Sequence, residues 1–255
     1  MKMTQVRNAT MVMSYDDATV LIDPMLGAKG SMPPFPCATG DTSRNPLVDL
    51  VVSLDELLTP DVIVVTHTHA DHWDPAAAAL LPRHTPILAQ HAEDAALIAD
   101  EGFTDVRILE STTTVAGVEF TRAGGQHGSD EILESMPDIG EVMGVVLRHD
   151  DDPVVYIAGD TIMTDEVRRN LAEVAPDVVV LNTGEAVPST LGPIIMGPKD
   201  VVEVAGLAPQ AKVVASHLEA LNHCPATRED VRAAASAHAI TDRVLVPEDG
   251  EVLRF

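Results

Sequence analysis

The chain has 255 residues, 45% of them hydrophobic but only 3% aromatic, and a formal net charge of −24. That length and apolar share support a sizeable core, built mainly from Val, Leu, Ile, Ala and Met. The charge repels phosphate backbones and anionic membranes, which argues against nucleic-acid and membrane partners but not against a small anionic substrate, because a bound cation inverts the local potential.

Two cysteines, Cys37 and Cys224, make no disulfide framework. No apolar run reaches the roughly 18 residues of a membrane span, and no secretory signal is evident, so the cytoplasm is the expected location. No linker-like stretch divides the sequence, and a single catalytic domain over residues 1–255 is expected.

The apolar runs Thr10–Met13 and Ala18–Ile22 predict two short strands, with Asp16-Asp17 at the turn and Asp23-Pro24 ending the second. Residues 24–47 hold five prolines (24, 33, 34, 36 and 46) and three glycines (27, 30 and 40), which exclude a regular helix or central strand. A loop this long in a compact chain is usually functional. Its apolar residues Met25, Leu26, Met32 and Phe35 point to a pocket wall or lid, with contact between copies of the chain as the alternative.

Ser53–Leu58 suggests a helical turn, and 61–66 a buried strand. THTHADHWD follows at 66–74. Asp74 can cap the next helix, 75–81, with Pro75 at its first position. A strand at 86–89, a helix at 91–101 closed by Gly102, and strands at 106–109 and 118–121 come next. The second half partly repeats this order. Strands are expected at 142–147, 154–158, 178–181 and 212–215, and helices at 165–175, 198–207 and 228–239. Thr227 and Asp230 form a capping box for the last helix. Residues 244–246 and 251–253 are expected to close the chain as a hairpin. Apolar strands alternating with helices predict an α/β protein with helices on the outer faces of its sheets.

Polar residues recur just past the apolar strands, where sites collect in layered α/β proteins. His67 and His69 share one face of an extended segment, so both can reach one ion. Asp71 and His72 follow in the turn. His127, Asp160 and His217 stand past later strands. A lone strand-end histidine usually satisfies a local hydrogen bond; three between residues 67 and 72 point to metal. The expected set is His67, His69 and His127 on a first ion, Asp71, His72 and His217 on a second, and Asp160 bridging. Two ions about 3.5–4 Å apart can share a water and make it a hydroxide. Imidazole and carboxylate donors suit zinc first, with manganese or iron as alternatives. His84, His91, His149 and His238 are expected at the surface.

The run HTHADH, then GQHG at 125–128, AGDT at 158–161 and SH at 216–217, resembles the metallo-β-lactamase superfamily of metal-dependent hydrolases. The resemblance spans nearly the whole chain. It implies a four-layer αβ/βα sandwich of two mixed sheets, with the metals at one edge of the sheets. Within that superfamily the chain looks most like the branch related to the ascorbate-6-phosphate lactonase. SHLEALNHC, residues 216–224, is similar to a segment of uncharacterised bacterial members. Neither cysteine stands at the ligand position of the zinc β-lactamases.

The expected reaction is therefore hydrolysis of a small molecule, a lactone first by analogy with that branch. Phosphoesters come second, since no arginine cluster for a phosphate is visible. Amides and β-lactams come third. An iron-dependent oxygenase, a persulfide enzyme and a non-catalytic binding protein remain as alternatives. Asp71 is expected to orient the hydroxide, and His223 to donate a proton or hydrogen bond. Glu219 is a candidate to hold a ligating imidazole through its other nitrogen. Asn222 lies in the same segment, and Asn182 and Thr183 are candidate substrate contacts. Oligomerisation is left open.

Overall fold

The computed structural model describes residues 1–255. The first sheet contains β1 (Lys2–Arg7), β2 (Thr10–Ser14), β3 (Thr19–Ile22), β4 (Val62–Val65), β5 (Ile87–Ala89) and β6 (Val106–Ile108). The second contains β7 (Thr112–Val115), β8 (Val118–Gly124), β9 (Met143–Arg148), β10 (Val155–Ile157), β11 (Val178–Asn182), β12 (Lys212–Ser216) and β13 (Val244–Leu245). The last strand, β14 (Val252–Arg254), returns to pair with β1 and makes each sheet seven-stranded.

Each sheet starts antiparallel and turns parallel, at β3–β4 in the first and at β10–β11 in the second. This is the partial repeat legible in the sequence. The expected terminal hairpin does not form. β13 pairs parallel with β12 in the second sheet, and β14 pairs antiparallel with β1 in the first. Two short apolar runs joined by a turn look like a hairpin, but each finds a longer edge to pair with. β1, β7 and the short helix α4 (Asp130–Ser135) also lie outside the sequence expectations.

The remaining helices are α1 (Leu54–Leu57), α2 (Pro75–Leu80), α3 (Ala92–Asp100), α5 (Asp165–Val174), α6 (Pro198–Leu207) and α7 (Arg228–Ala237). Alternate strand residues separate the layers. Val20, Ile22, Val62 and Val64 face Phe120, Val145, Ile157 and Val180 between the sheets. Leu21, Ile63 and Val65 face outward onto Ala77, Ala78 and Ile98 of α2 and α3. Tyr156, Val179 and Val213 do the same onto Leu171, Val204 and Val231 of α5, α6 and α7. Each fully buried aliphatic side chain contributes about 1.5–3 kcal/mol, so these apolar layers supply the main driving force for the sandwich. The result is the αβ/βα arrangement of two mixed sheets. No helix is long and apolar enough to cross a membrane.

His149 is a correction to the expected surface set. It is only 6% exposed, sits between Asp17 and Asp152, and tilts against the Tyr15 ring. His84 and His238 are exposed, and His91 is half-buried as the cap of α3.

Candidate metal centre

The fully buried strand β4, between β3 and β5, delivers Thr66 and the histidine turn at its C-terminal end. The turn is tight because the N–H groups of His72 and Trp73 both donate to the His69 carbonyl, each at 2.9 Å. Asp74 then caps α2 through Ala77 N at 2.7 Å, as its position implies, and its other oxygen accepts from Gly27 N at 2.6 Å. One side chain thus ends the turn, starts a helix and anchors the proline-rich segment.

The other candidates arrive from the C-terminal ends of β8, β10 and β12. Gly159 precedes Asp160 at φ +71°, and a Cβ there would meet the Met143 carbonyl oxygen at 2.4 Å. Only glycine lets the chain turn there. Asn8, Asp23 and His217 are non-glycine residues held at φ +55°, +45° and +60°. Left-handed backbone at such residues costs on the order of 1 kcal/mol each and collects at functional sites.

The seven residues expected from the sequence come together as two groups, His67, His69 and His127 in one and Asp71, His72, Asp160 and His217 in the other. Within each group the potential ligand atoms lie within 4.8 Å of one another. His67 Nε2 and His69 Nδ1 are 2.9 Å apart. Asp160 Oδ2 lies 3.1 Å from His72 Nε2, 3.7 Å from His217 Nε2 and 3.9 Å from His127 Nε2, so one oxygen faces both groups. Asp71 Oδ2 lies 3.1 Å from His217 Nε2 and 3.4 Å from His72 Nε2.

The electrostatics fit a pair of cations. Burial opposes ionisation of Asp71 and Asp160, but the imidazoles of His72 and His217 outweigh it and hold both carboxyls well below the usual range. Burial likewise opposes a charge on His72 and His217, yet the Asp160 carboxylate raises both well above the ordinary imidazole value. The buried carboxylates therefore demand positive charge, which protons provide when no ion is bound. Burial lowers His67 well below its ordinary value and His127 to about 4, leaving neutral rings with a free lone pair. Metal ions compete for the same sites as those protons.

Several supporting residues escape sequence reading. Asp23 accepts from Thr66 N at 2.7 Å and from Thr66 Oγ1 at 2.8 Å, and its Oδ2 meets His72 Nδ1 at 2.9 Å. Asn8 donates to the Asp71 carbonyl at 3.2 Å, while its own carbonyl accepts from His217 N at 3.1 Å. His127 Nδ1 donates to the Ile194 carbonyl at 3.0 Å, and Cys224 Sγ stands 3.7 Å from His217 Nδ1. Only Asp23, an acid directly after an apolar strand, carried a sequence signal, and it reads equally well as a strand terminator.

Four candidates make their contacts away from the cavity. Glu219 holds the backbone and guanidinium of Arg228 at 3.0 and 2.6 Å, not an imidazole. Asn182 donates to Asp160 Oδ1 at 2.6 Å, behind the carboxylate rather than in the cavity. Thr183 is fully buried against the Ser216 carbonyl. Asn222 binds the proline-rich segment. His223, by contrast, lines a cavity of about 410 Å³ that opens on His69, Asp71, His127 and Asp160. Its Nδ1 is buried with no partner.

The model of the beta-lactamase superfamily domain matches residues 18–218. The chain belongs to the metallo-β-lactamase superfamily. It is a metal-dependent hydrolase whose paired clusters provide for a dinuclear centre. Among curated relatives of this superfamily member, UPF0173 protein YddR of Bacillus subtilis is 37% identical over 256 residues, covering 100% of both chains. Two crystal structures superpose over almost the whole length. The isothiocyanate hydrolase from Delia radicum gut bacteria has a TM-score of 0.96 and 42% identity, covering 100% of this chain and 99% of its own. A protein from Veillonella parvula, described as a possible metal-dependent hydrolase, has a TM-score of 0.95 and 38% identity, covering 99% and 98%.

Proposed function

We propose that this chain hydrolyses small uncharged electrophiles, organic isothiocyanates first, at a dinuclear zinc centre. The observation that carries the reading is the cavity. It adjoins both ligand groups, and no lysine or arginine lines it. Two bound ions would supply positive charge to a phosphorylated substrate, but no side-chain cation adds to it, which favours an uncharged substrate over a phosphoester. The 42% identity over the full chain to an isothiocyanate hydrolase supports the substrate class. A lactone is the second reading, because it is equally uncharged and presents a comparable electrophilic carbon.

In this reading His67, His69 and His127 would hold one ion and Asp71, His72 and His217 the other, with Asp160 facing both. When bound, such a pair supplies Lewis acidity, which acidifies water and neutralises developing negative charge. Asp23 and the Ile194 carbonyl orient His72 and His127 in advance. Asp71 borders the cavity and orients the attacking water. Burial lowers His223 to about 4, so its ring is neutral at physiological pH. With Nδ1 buried and unpartnered, the ring donates from Nε2 to the heteroatom on which charge develops. Phe35 and Pro36 of segment 24–47 form part of the pocket wall.

For an isothiocyanate, water oxygen bonds to the central carbon as the C=N π pair moves to nitrogen, which takes up a proton. The C–N bond of the resulting thiocarbamate then breaks, and nitrogen takes the second proton. The balance is R–N=C=S + H₂O → R–NH₂ + O=C=S.

Elemental analysis combined with turnover of methyl isothiocyanate, γ-butyrolactone and bis(p-nitrophenyl) phosphate tests this. The expected result is two zinc ions per chain, amine release from the isothiocyanate and no phosphodiester cleavage. Lactone turnover alone selects the second reading. Iron without hydrolysis of any of the three overturns both.

A further inference from the structure

Asn222 does not line the cavity, yet its carboxamide spends all four of its hydrogen bonds on one segment. Oδ1 accepts from Phe35 N at 3.0 Å and Asn45 Nδ2 at 2.9 Å. Nδ2 donates to Phe35 O at 3.0 Å and Asp41 O at 2.8 Å. Asn222 N donates to Asn45 Oδ1 at 2.9 Å, closing a reciprocal pair between two amides that are 5% and 0% exposed.

The segment that Asn222 grips contains no helix and no regular strand; its ordered pairing is the isolated bridge between Met32 and Asn45. Both main-chain groups of Phe35 are bonded to the Asn222 side chain. The Phe35 ring is then placed beside the cavity, where it meets the His223 ring edge-on at a centroid distance of 5.1 Å. Residues 222 and 223 thus divide the work: the first fixes the backbone of Phe35, and the second touches its ring and faces the cavity.

We propose that Asn222 is the positioning residue for substrate selectivity. It fixes Phe35 as an aromatic wall beside His223, so that a bulky apolar substituent of the substrate packs on that ring while a small one does not need it. The choice of substrate rests on the isothiocyanate reading above; the placement of Phe35 by Asn222 does not.

The test compares benzyl with methyl isothiocyanate in the wild type, Asn222→Ala, Phe35→Ala and the double variant, with metal content and hydrogen exchange of the Phe35 amide measured on each protein. Loss of one packed aromatic contact is worth roughly tenfold in discrimination. The benzyl-to-methyl ratio of kcat/KM should fall by about that factor in each single variant and no further in the double variant, with metal content unchanged. An unchanged ratio in Asn222→Ala, or effects that multiply in the double variant, overturns the inference. Asn222→Asp keeps the two acceptor contacts and replaces the alanine variant if that fails to fold. If neither isothiocyanate is turned over, the substrate reading falls, and the Phe35 amide decides the positioning role. Faster exchange in the variant supports it, and unchanged protection overturns it.

Discussion

Asp23 Oδ2 lies 2.9 Å from His72 Nδ1, joining residues 49 apart in the sequence. The same oxygen accepts from Thr66 Oγ1, and the companion oxygen accepts from Thr66 N. A single buried carboxylate therefore fixes both the start of the histidine turn and the orientation of the ring that ends it. Its left-handed backbone, at φ +45°, shows how closely the fold holds it there.

Replacing Asp23 by Ala should weaken metal binding by roughly 10–100-fold, the usual effect of removing the partner of a ligating imidazole. Asp23→Asn keeps the shape and should retain part of the affinity. Competition with a chromophoric chelator measures both. Wild-type affinity in Asp23→Ala would remove this residue from the account of the site.

The two His/Asp clusters were legible because their residues stand next to strand ends, and a strand can be recognised locally. Val62–Val65 announces a buried strand, so His67 and His69 must emerge at its end. The same logic reaches His127, Asp160 and His217. Support residues obey no such rule. Asn8 reaches Asp71, and Asn222 reaches Phe35 across 187 positions, only because the chain has already packed. Glu219 looked like an acid beside a ligating histidine, but its backbone, at φ +62°, belongs to a turn that sends the carboxylate to Arg228. The terminal hairpin failed for a related reason. Local apolar pattern marks β13 and β14 as strands but carries no information about which sheet edge each will find.

Asp160 gives a sharper test of the dinuclear reading. One of its oxygens faces His72, His217 and His127, and the other is held by Asn182 at 2.6 Å. Asp160→Ala should reduce occupancy from two ions to one or none per chain and abolish turnover. Asn182→Ala should do less, because the carboxylate remains and only its orientation is released. Elemental analysis after exhaustive dialysis separates the cases; two tightly held ions in Asp160→Ala would end the idea that this carboxylate serves both.

His223 should behave differently from any ligand. Losing one hydrogen-bond donor to developing charge typically costs about 10²–10³ in kcat. His223→Ala should therefore lose on the order of a hundredfold in kcat while keeping both ions. Loss of metal instead would make it part of the ion site.

His149 provides a pH test remote from the metal centre. Burial opposes its charge, but hydrogen bonds to Asp152 and Asp17 outweigh that, and Asp150 adds to the attraction, so its pKa is raised. Nε2 lies 2.8 Å from Asp17 Oδ1, and Nδ1 lies 3.1 Å from Asp152 Oδ2. An imidazole that binds its proton more tightly folded than unfolded stabilises the fold fully below its unfolded value, about 6.5, and loses that contribution as pH rises through the folded value. His149→Gln should therefore melt below the wild type at pH 5.5, and the gap should narrow by pH 8.5. Thermal melts of the apo-proteins at both pH values keep metal affinity from dominating the comparison. An equal gap at both would mean that His149 stabilises by packing on Tyr15 rather than through its charge.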